Sequence, residues 1–276
     1  TATVTLAATI QDITATLDAA GDTSFGDIRN ATVTFVNRDA ANAPLCTAPV
    51  GLVNLSDMQT GTVTCNWNTD IGSSDAKQYT VGIVVSGYYT RDASVDNTVV
   101  NVAKPLSSNF ITGGGRLVLS TNSAGIKAGD PGSKNNFGFN VKYNKQGTNL
   151  QGNINTIIHR TENNVLHVYQ IKGNSMTSLA VNPSTCPNPI PTAPCTATFN
   201  GKASIQDITD PLNVIAVDGN ATLQVLMTDK GEPGSTDTIG ITVWNKLGGL
   251  WFSTNWQSAS PPKTVEQTLG NSPGGG

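Results

Sequence analysis

Apolar and polar residues alternate along most of this chain with the two-residue period of a half-buried β-strand. Val4, Leu6 and Ala8 alternate with Thr5, Ala7 and Thr9, and Ala31, Val33, Phe35 and Asn37 share one side of 30–37. Phe137, Phe139, Val141 and Tyr143 likewise share one side of 137–143. The same reading predicts strands over 50–55, 61–67, 78–85 and 97–103, then over 116–120, 150–160, 165–171, 179–181, 221–228, 237–244 and 250–256. Turn chemistry separates them: a glycine-punctuated loop at 17–27, a long one at 124–136, Asn163-Asn164, a four-proline loop at 186–195, and 229–236. No window carries a 3.6-residue apolar period with a cap, so an all-β chain with almost no helix is expected.

Two stretches repeat. Residues 1–14 read TATVTLAATIQDIT and residues 196–209 read TATFNGKASIQDIT, nine identities in fourteen at a constant offset of 195. Each is followed by an Asn-Ala-Thr strand start, at Asn30 and Asn220, and later by a Thr-x-Gly-Ile strand, at Thr80 and Thr238. An internal repeat of this kind implies two related β modules in series. The first spans 1–104, where seven or so short strands read as an immunoglobulin-like sandwich. Residues 105–109, a proline followed by small polar residues, read as a linker; 110–270 form a second, larger sandwich; 271–276 are a Gly/Pro tail. The repeated stretch is expected to mark a shared sandwich edge, and much of 258–276 to be extended or linker-like.

Composition narrows the function classes. Only 13% of the 276 residues are charged and the net charge is -3, which excludes the basic surface that a nucleic-acid partner requires. No apolar run reaches the roughly 18–20 residues of a membrane-spanning helix. The start carries no signal peptide, as expected of a processed chain or a piece of a longer one. Four cysteines fall as two close pairs, Cys46 with Cys65 and Cys186 with Cys195. Three pairings are open; the local one closes loops of about 20 and 10 residues and stabilises by roughly 2–3 kcal/mol each. Disulfides place the chain in an oxidising, extracellular compartment. Cys65 and Trp67 share a strand face, and the short separation from Cys46 reads as a hairpin clip.

A family resemblance adds to this. Residues 136–143 (NFGFNVKY), Leu150-Gln151-Gly152, Tyr169-Gln170-Ile171-Lys172 and 228–234 (TDKGEPG), leading into Asp237-Thr238 and Val243-Trp244, occur in that order. In them the second module resembles the domain found after choice-of-anchor regions in large bacterial secreted and surface proteins, the post-COAP family. The first module, through 26–38 (GDIRNATVTFVNR) and Val81-Gly82-Ile83-Val84-Val85 before Gly87-Tyr88-Tyr89, is similar to the Ig-like repeats that precede such domains. The resemblance implies tandem β modules on an exported bacterial chain and carries no catalytic residue set.

His159 and His167 flank one hairpin turn, and a three-residue loop would set them face to face, as a metal or pH switch requires; two solvated strand histidines are the commoner outcome. No hydrolase elbow, P-loop or dinucleotide fingerprint stands in its required context. Calcium is the one cofactor with a candidate oxygen set: Asp207, Asp210, Asp218, Asp229, Glu232 and Asp237 lie on loops of one module. Ordinary turn chemistry, in which Asp bonds its own backbone, competes with that reading. Among Trp244, Trp251 and Trp256, the alternation in 250–256 points Trp251 outward, the weak signature of a carbohydrate platform. The sequons at Asn30, Asn54 and Asn220 matter only where the source glycosylates.

The chain therefore reads as a non-catalytic structural or interaction segment of a bacterial surface or secreted protein. Its partners would be copies of itself or neighbouring modules, joined into a filament or layer by strand-edge contacts, with the tail after Ser258 as the suspected element. An adhesin that binds carbohydrate or a protein through its loops is the alternative.

Overall fold

The computed structural model describes residues 1–13, 26–74, 76–104, 110–182, 194–231, 234–259 and 262–270. The 105–109 linker, most of the 17–27 loop, the proline loop with Cys186, Glu232 and the 271–276 tail lie outside them. The chain divides into two compact units, Thr1–Lys104 with Leu247–Leu250, and Pro105–Lys246 with Trp251–Gly276. Apart from four single 3-10 turns the described residues hold no helix, and every strand pairing described is antiparallel.

The first unit contains β1 (Ala2–Gln11), β2 (Ala31–Asn37), β3 (Ala43–Pro49), β4 (Gly51–Asn54), β5 (Asp57–Thr69), β6 (Ala76–Gly87) and β7 (Thr98–Ala103). They form a three-stranded sheet, β1-β5-β4, and a four-stranded sheet, β3-β2-β6-β7. The inward halves of the alternating strands meet in one core: Leu6 and Val63 from the first sheet, Val33, Phe35, Tyr79 and Val85 from the second. Sequence reading misses β3, because Pro44 and Pro49 look like turn residues; β3 is an edge strand, where a missing N–H is tolerated.

Cys46 and Cys65 are bonded, as the local pairing expects, but the bond is no hairpin clip. Cys46 lies on β3, opposite Phe35 of β2, and Cys65 lies on β5, opposite Leu6 of β1. The disulfide therefore ties one sheet to the other. β4 intervenes in the 19-residue separation and carries the chain across, which a local spacing rule does not register. Trp67 packs edge-on to Tyr79 in the same core, with ring centroids 4.8 Å apart.

The second unit is built on a single nine-stranded sheet. Its path runs β15 (Leu250–Ser253), β14 (Thr238–Trp244), β13 (Ile215–Asp229), β12 (Cys195–Asp207), β11 (Val165–Asn182), β10 (Leu150–Glu162), β9 (Lys134–Tyr143), β8 (Phe110–Val118). β18 (Gln267–Thr268) also pairs with β14, and β16 (Trp256–Gln257) pairs with β17 (Lys263–Thr264). β8 starts earlier than the pattern predicts and takes in Gly113-Gly114-Gly115. A Cβ on Gly113 would stand 2.7 Å from the Phe139 ring, and one on Gly115 3.4 Å from that of Phe137. These glycines are strand residues that make room for aromatic neighbours.

The end of the chain corrects the linker expectation. β18 pairs with β14 through Ile239–Gln267 and Thr238–Thr268. Gly270 N–H donates to the Arg116 carbonyl (2.9 Å) and Gln267 Nε2 to that of Val118 (2.5 Å), both on β8. Residues 263–270 thus bridge the two ends of the sheet around one core that includes Leu117, Ile158, Phe199, Val225, Ile241 and Phe252. Thr264 is buried, and its hydroxyl meets Thr242 Oγ1 (2.6 Å) and Ser253 Oγ (2.8 Å).

The repeat is partly structural. Val33 opposes Val85 and Val36 opposes Gly82 in β2–β6; Leu223 opposes Val243 and Leu226 opposes Gly240 in β13–β14, the same register. Both glycines lie under something that a Cβ would meet: the Arg38 guanidinium at Gly82, and Thr264 with Glu266 at Gly240. The repeated first strand differs in setting. β1 ends its sheet, whereas β12 has β11 and β13 on its two sides, so the motif does not mark an edge in both units.

Two outcomes follow. Replacing Cys46 and Cys65 by Ala should cost the first unit roughly 2–3 kcal/mol in a denaturant melt, the chain-entropy value for a loop of this size. Truncation after Gln257 should lower the melting temperature of the second unit and leave that of the first unchanged, because it removes the segment that joins β14 to β8.

Candidate functional site

The densest polar constellation lies in the second unit, where the β10–β11 turn, the end of β12 and the 119–133 segment meet. Lys127 N–H donates to the Trp251 carbonyl (2.8 Å) and Ala124 bridges to Ser253, which lays the segment along β15. Lys127 Nζ then reaches both oxygens of Glu162 at 2.6 Å and stands 5.3 Å above the Tyr169 ring. Arg160 Nε donates to Glu162 (2.9 Å) and its Nη1 to the Ala128 carbonyl (2.6 Å). Tyr169 Oη donates to Glu162 at 3.2 Å. Asp130 accepts from the Thr161 N–H (2.8 Å) and hydroxyl (2.7 Å).

Beside this network, His167 Nδ1 and Asp207 Oδ2 lie 2.7 Å apart, and the His167 ring stacks on Tyr169 at 5.9 Å. The other Asp207 oxygen accepts from the Thr209 hydroxyl (2.5 Å) and N–H (2.9 Å), the Asx turn expected after the repeated Ile-Gln pair. The Thr209 hydroxyl in turn accepts the Val168 N–H at 2.9 Å.

His159 and His167 do not meet. Asn163 and Asn164, with φ of 50° and 63°, form a two-residue left-handed turn rather than a three-residue loop. Arg160 consequently opposes His167 and His159 opposes Val168. A one-residue change of register sends a strand side chain to the other face, so His159 instead bonds the Lys134 carbonyl through Nδ1 (3.0 Å).

The electrostatics are those of a closed network. Burial pushes the Glu162 carboxyl up, but the Lys127 hydrogen bond and charge, with Tyr169 and Arg160, outweigh it and hold the group below the usual range. Asp207 behaves alike: burial raises it, while the bonds from Thr209 and His167 bring it below the ordinary value. Burial lowers Lys127, yet Glu162 and Tyr169 leave it raised; Tyr169 is raised, chiefly by burial. Glu162, Asp207 and Lys127 are each held in the charged form by their neighbours. Of the hydroxyls in this network, Thr209 donates to Asp207 and accepts from the Val168 N–H, and Tyr169 donates to Glu162.

The calcium candidates do not form one set: Asp229 and Asp237 flank one turn beside the Thr228–Thr238 pair, Glu232 lies outside the described residues, and Asp207 lies far from them. Asp210 accepts from Leu212 N–H (2.9 Å), Asp218 from Asn220 and Lys246 (3.1 and 3.0 Å), Asp229 from Gly231 (2.8 Å), and Asp237 from Lys230 (2.8 Å). Asp207 sits opposite Ile215 and Asp229 ends the same strand, so β13 holds the two groups on the order of 45 Å apart at its usual rise. Among the described residues no three His, Cys, Asp or Glu side chains gather as metal ligands. Cys195 is disulfide-bonded.

Trp251 is not an outward platform. Only 4% of it is exposed, and it packs edge-on against Tyr169 at 5.6 Å. Leu250, Trp251, Phe252 and Ser253 are all buried, because β15 is covered on both faces and alternation no longer reports exposure. Sequence reasoning misses Lys127, Arg160, Glu162 and Tyr169. Their only signal is charge in a charge-poor chain, since Lys127 and Glu162 are joined by topology over 35 residues.

Comparison of the chain with family models, with curated proteins and with solved structures gave no match. No helix among the described residues is long and apolar enough to cross a membrane.

Because Glu162 and Asp207 titrate below their unfolded values, the stability they confer is complete above about pH 5 and is lost as pH falls through the unfolded and then the folded values. The second unit should therefore melt at a constant temperature from neutrality to about pH 5, as far as these groups act, and at lower temperature below pH 4. Glu162→Gln should cost about 1–3 kcal/mol at neutral pH by leaving Lys127 without its anion, and should flatten the acid loss. Trp251→Ala should cost about 3–5 kcal/mol by emptying a core position.

Proposed function

We propose that this chain is a non-catalytic structural and interaction segment of a bacterial cell-surface or secreted protein, composed of two β modules in series, the first immunoglobulin-like. The observation that carries the reading is the internal closure of its chemistry. The polar constellation around Glu162 and Asp207 bonds to itself, as a rigid scaffold requires. The Cys46–Cys65 disulfide supports an oxidising compartment, and the post-COAP resemblance of the second module supports an exported bacterial chain. Modules of this kind space, assemble or adhere, and their partners are further copies or neighbouring modules met through strand edges. The adhesin reading loses its main support with the burial of Trp251.

Immunogold labelling of intact source cells with an antibody to the folded chain tests this. Label on the cell exterior, or on material shed from it, is expected; label found only after permeabilisation would contradict the reading.

A further inference from the structure

Five neighbouring strands of the second unit, β8 to β12, turn a face without carboxylates outward. The chain holds 19 Asp and Glu residues, yet these strands contain only Glu162 and Asp207. Both lie on the inward side, where Lys127 and His167 engage them. Val141, Ile154, Ile171 and Ile205 face the core, so alternation sends Lys142, Asn153, Lys172 and Ser204 outward. The turns at 144–149 and 163–164 add no Asp or Glu. Of this unit's residues outside the described set, only Glu232, in the turn after β13, is charged, so 105–109, 183–193 and 271–276 bring no carboxylate to this face.

Three lysines carry the charge of that face. Lys134 and Lys142 on β9 and Lys172 on β11 are exposed, and among the described residues none of them forms an ion pair. Lys134 and Lys142 stand about 27 Å apart along their strand at its usual rise. Lys172 opposes Asn155, which opposes Gly138, midway between the other two. Two strand spacings then put it about 17 Å from each. Amides fill the intervals: Asn140 opposes Asn153, and Asn155 accepts from Gln170 Nε2 at 3.0 Å. On β12, Lys202 is half-buried, donates to Thr222 (2.9 Å) and has Asp218 near it, so the unopposed charge stops at β11. Beyond the strand ends, Asp130 accepts from Thr161 and Asp210 from Leu212.

We propose that this face binds a carboxylated polysaccharide, the lysines meeting its carboxylates and the amides its hydroxyls. The sign of the charge selects an anionic partner, although the chain as a whole is acidic. Its density selects among anions. Nucleic acid presents a phosphate about every 3.4 Å along each strand, whereas lysines about 17 Å apart among neutral amides match a polymer of sparse charge and many hydroxyls. The proposal rests on the surface-protein reading above and gives it a partner, met by a sheet face and not by loops or Trp251.

Affinity electrophoresis of the full chain tests it, through gels cast with hyaluronan, whose carboxylates alternate with neutral sugars, with uncharged dextran, or with polyphosphate. Hyaluronan should retard the wild type and dextran should not. Added salt should weaken the retardation, because exposed charges are screened over about 10 Å at 0.1 M. Lys134→Gln, Lys142→Gln and Lys172→Gln combined should keep the melting temperature, since all three positions are exposed, and should bind hyaluronan roughly tenfold more weakly. Lys230→Gln, Lys246→Gln and Lys263→Gln combined remove the same charge from exposed positions elsewhere in this unit and should bind as the wild type does. No retardation by hyaluronan, equal loss in both triple variants, or tighter binding to polyphosphate than to hyaluronan would overturn the proposal. External labelling of cells alongside any of these leaves the surface role standing, whereas label found only after permeabilisation removes that role even where hyaluronan binds.

Discussion

An all-β chain must dispose of its sheet edges, and the rest of this structure depends on how that is done. Each terminal strand offers a row of N–H and C=O groups that pairs with whatever strand comes near. The second unit removes the problem by closure: residues 263–270 pair with β14 on one side and bond β8 on the other. Once the ends are joined, the inward side chains of every strand on the path meet in one core. The first unit keeps two sheets and fastens them with Cys46–Cys65, blunting most of its edges locally.

Closure also explains where the polar groups lie. The 119–133 segment hydrogen-bonds alongside β15, and that docking brings Lys127 to Glu162 and Tyr169. Partly withdrawn from water, these groups require one another: burial alone would push Glu162 and Asp207 toward the neutral form, and their hydrogen-bond partners reverse the shift. The constellation is held together by its own ion pairs and hydrogen bonds.

Much of the strand content was legible in the sequence, because a two-residue period records which side of a strand is inside. Phe137, Val141, Val33 and Leu6 face cores as their pattern predicts. What was not legible is non-local. The sheet to which β3 belongs, and hence the inter-sheet role of Cys46–Cys65, depends on pairing with β2. Trp251 was misread because alternation marks exposure only when one face is solvated. The histidines were misplaced by a single residue of turn length, the smallest error that reverses a face. The repeat was visible at once, yet its meaning was divided: β2–β6 and β13–β14 share register, while β1 and β12 share sequence and face but not neighbours.

The central claim is that the chain's final described segment closes the second unit's sheet instead of trailing from it. Residue-resolved hydrogen exchange at Leu269 and Gly270, whose N–H groups donate to the Asp237 and Arg116 carbonyls, addresses it most directly. The account predicts that both amides exchange as slowly as their neighbours in β14 and β8 and are released together with them. Exchange at the rate of an unstructured tail, while β14 stays protected, would contradict it.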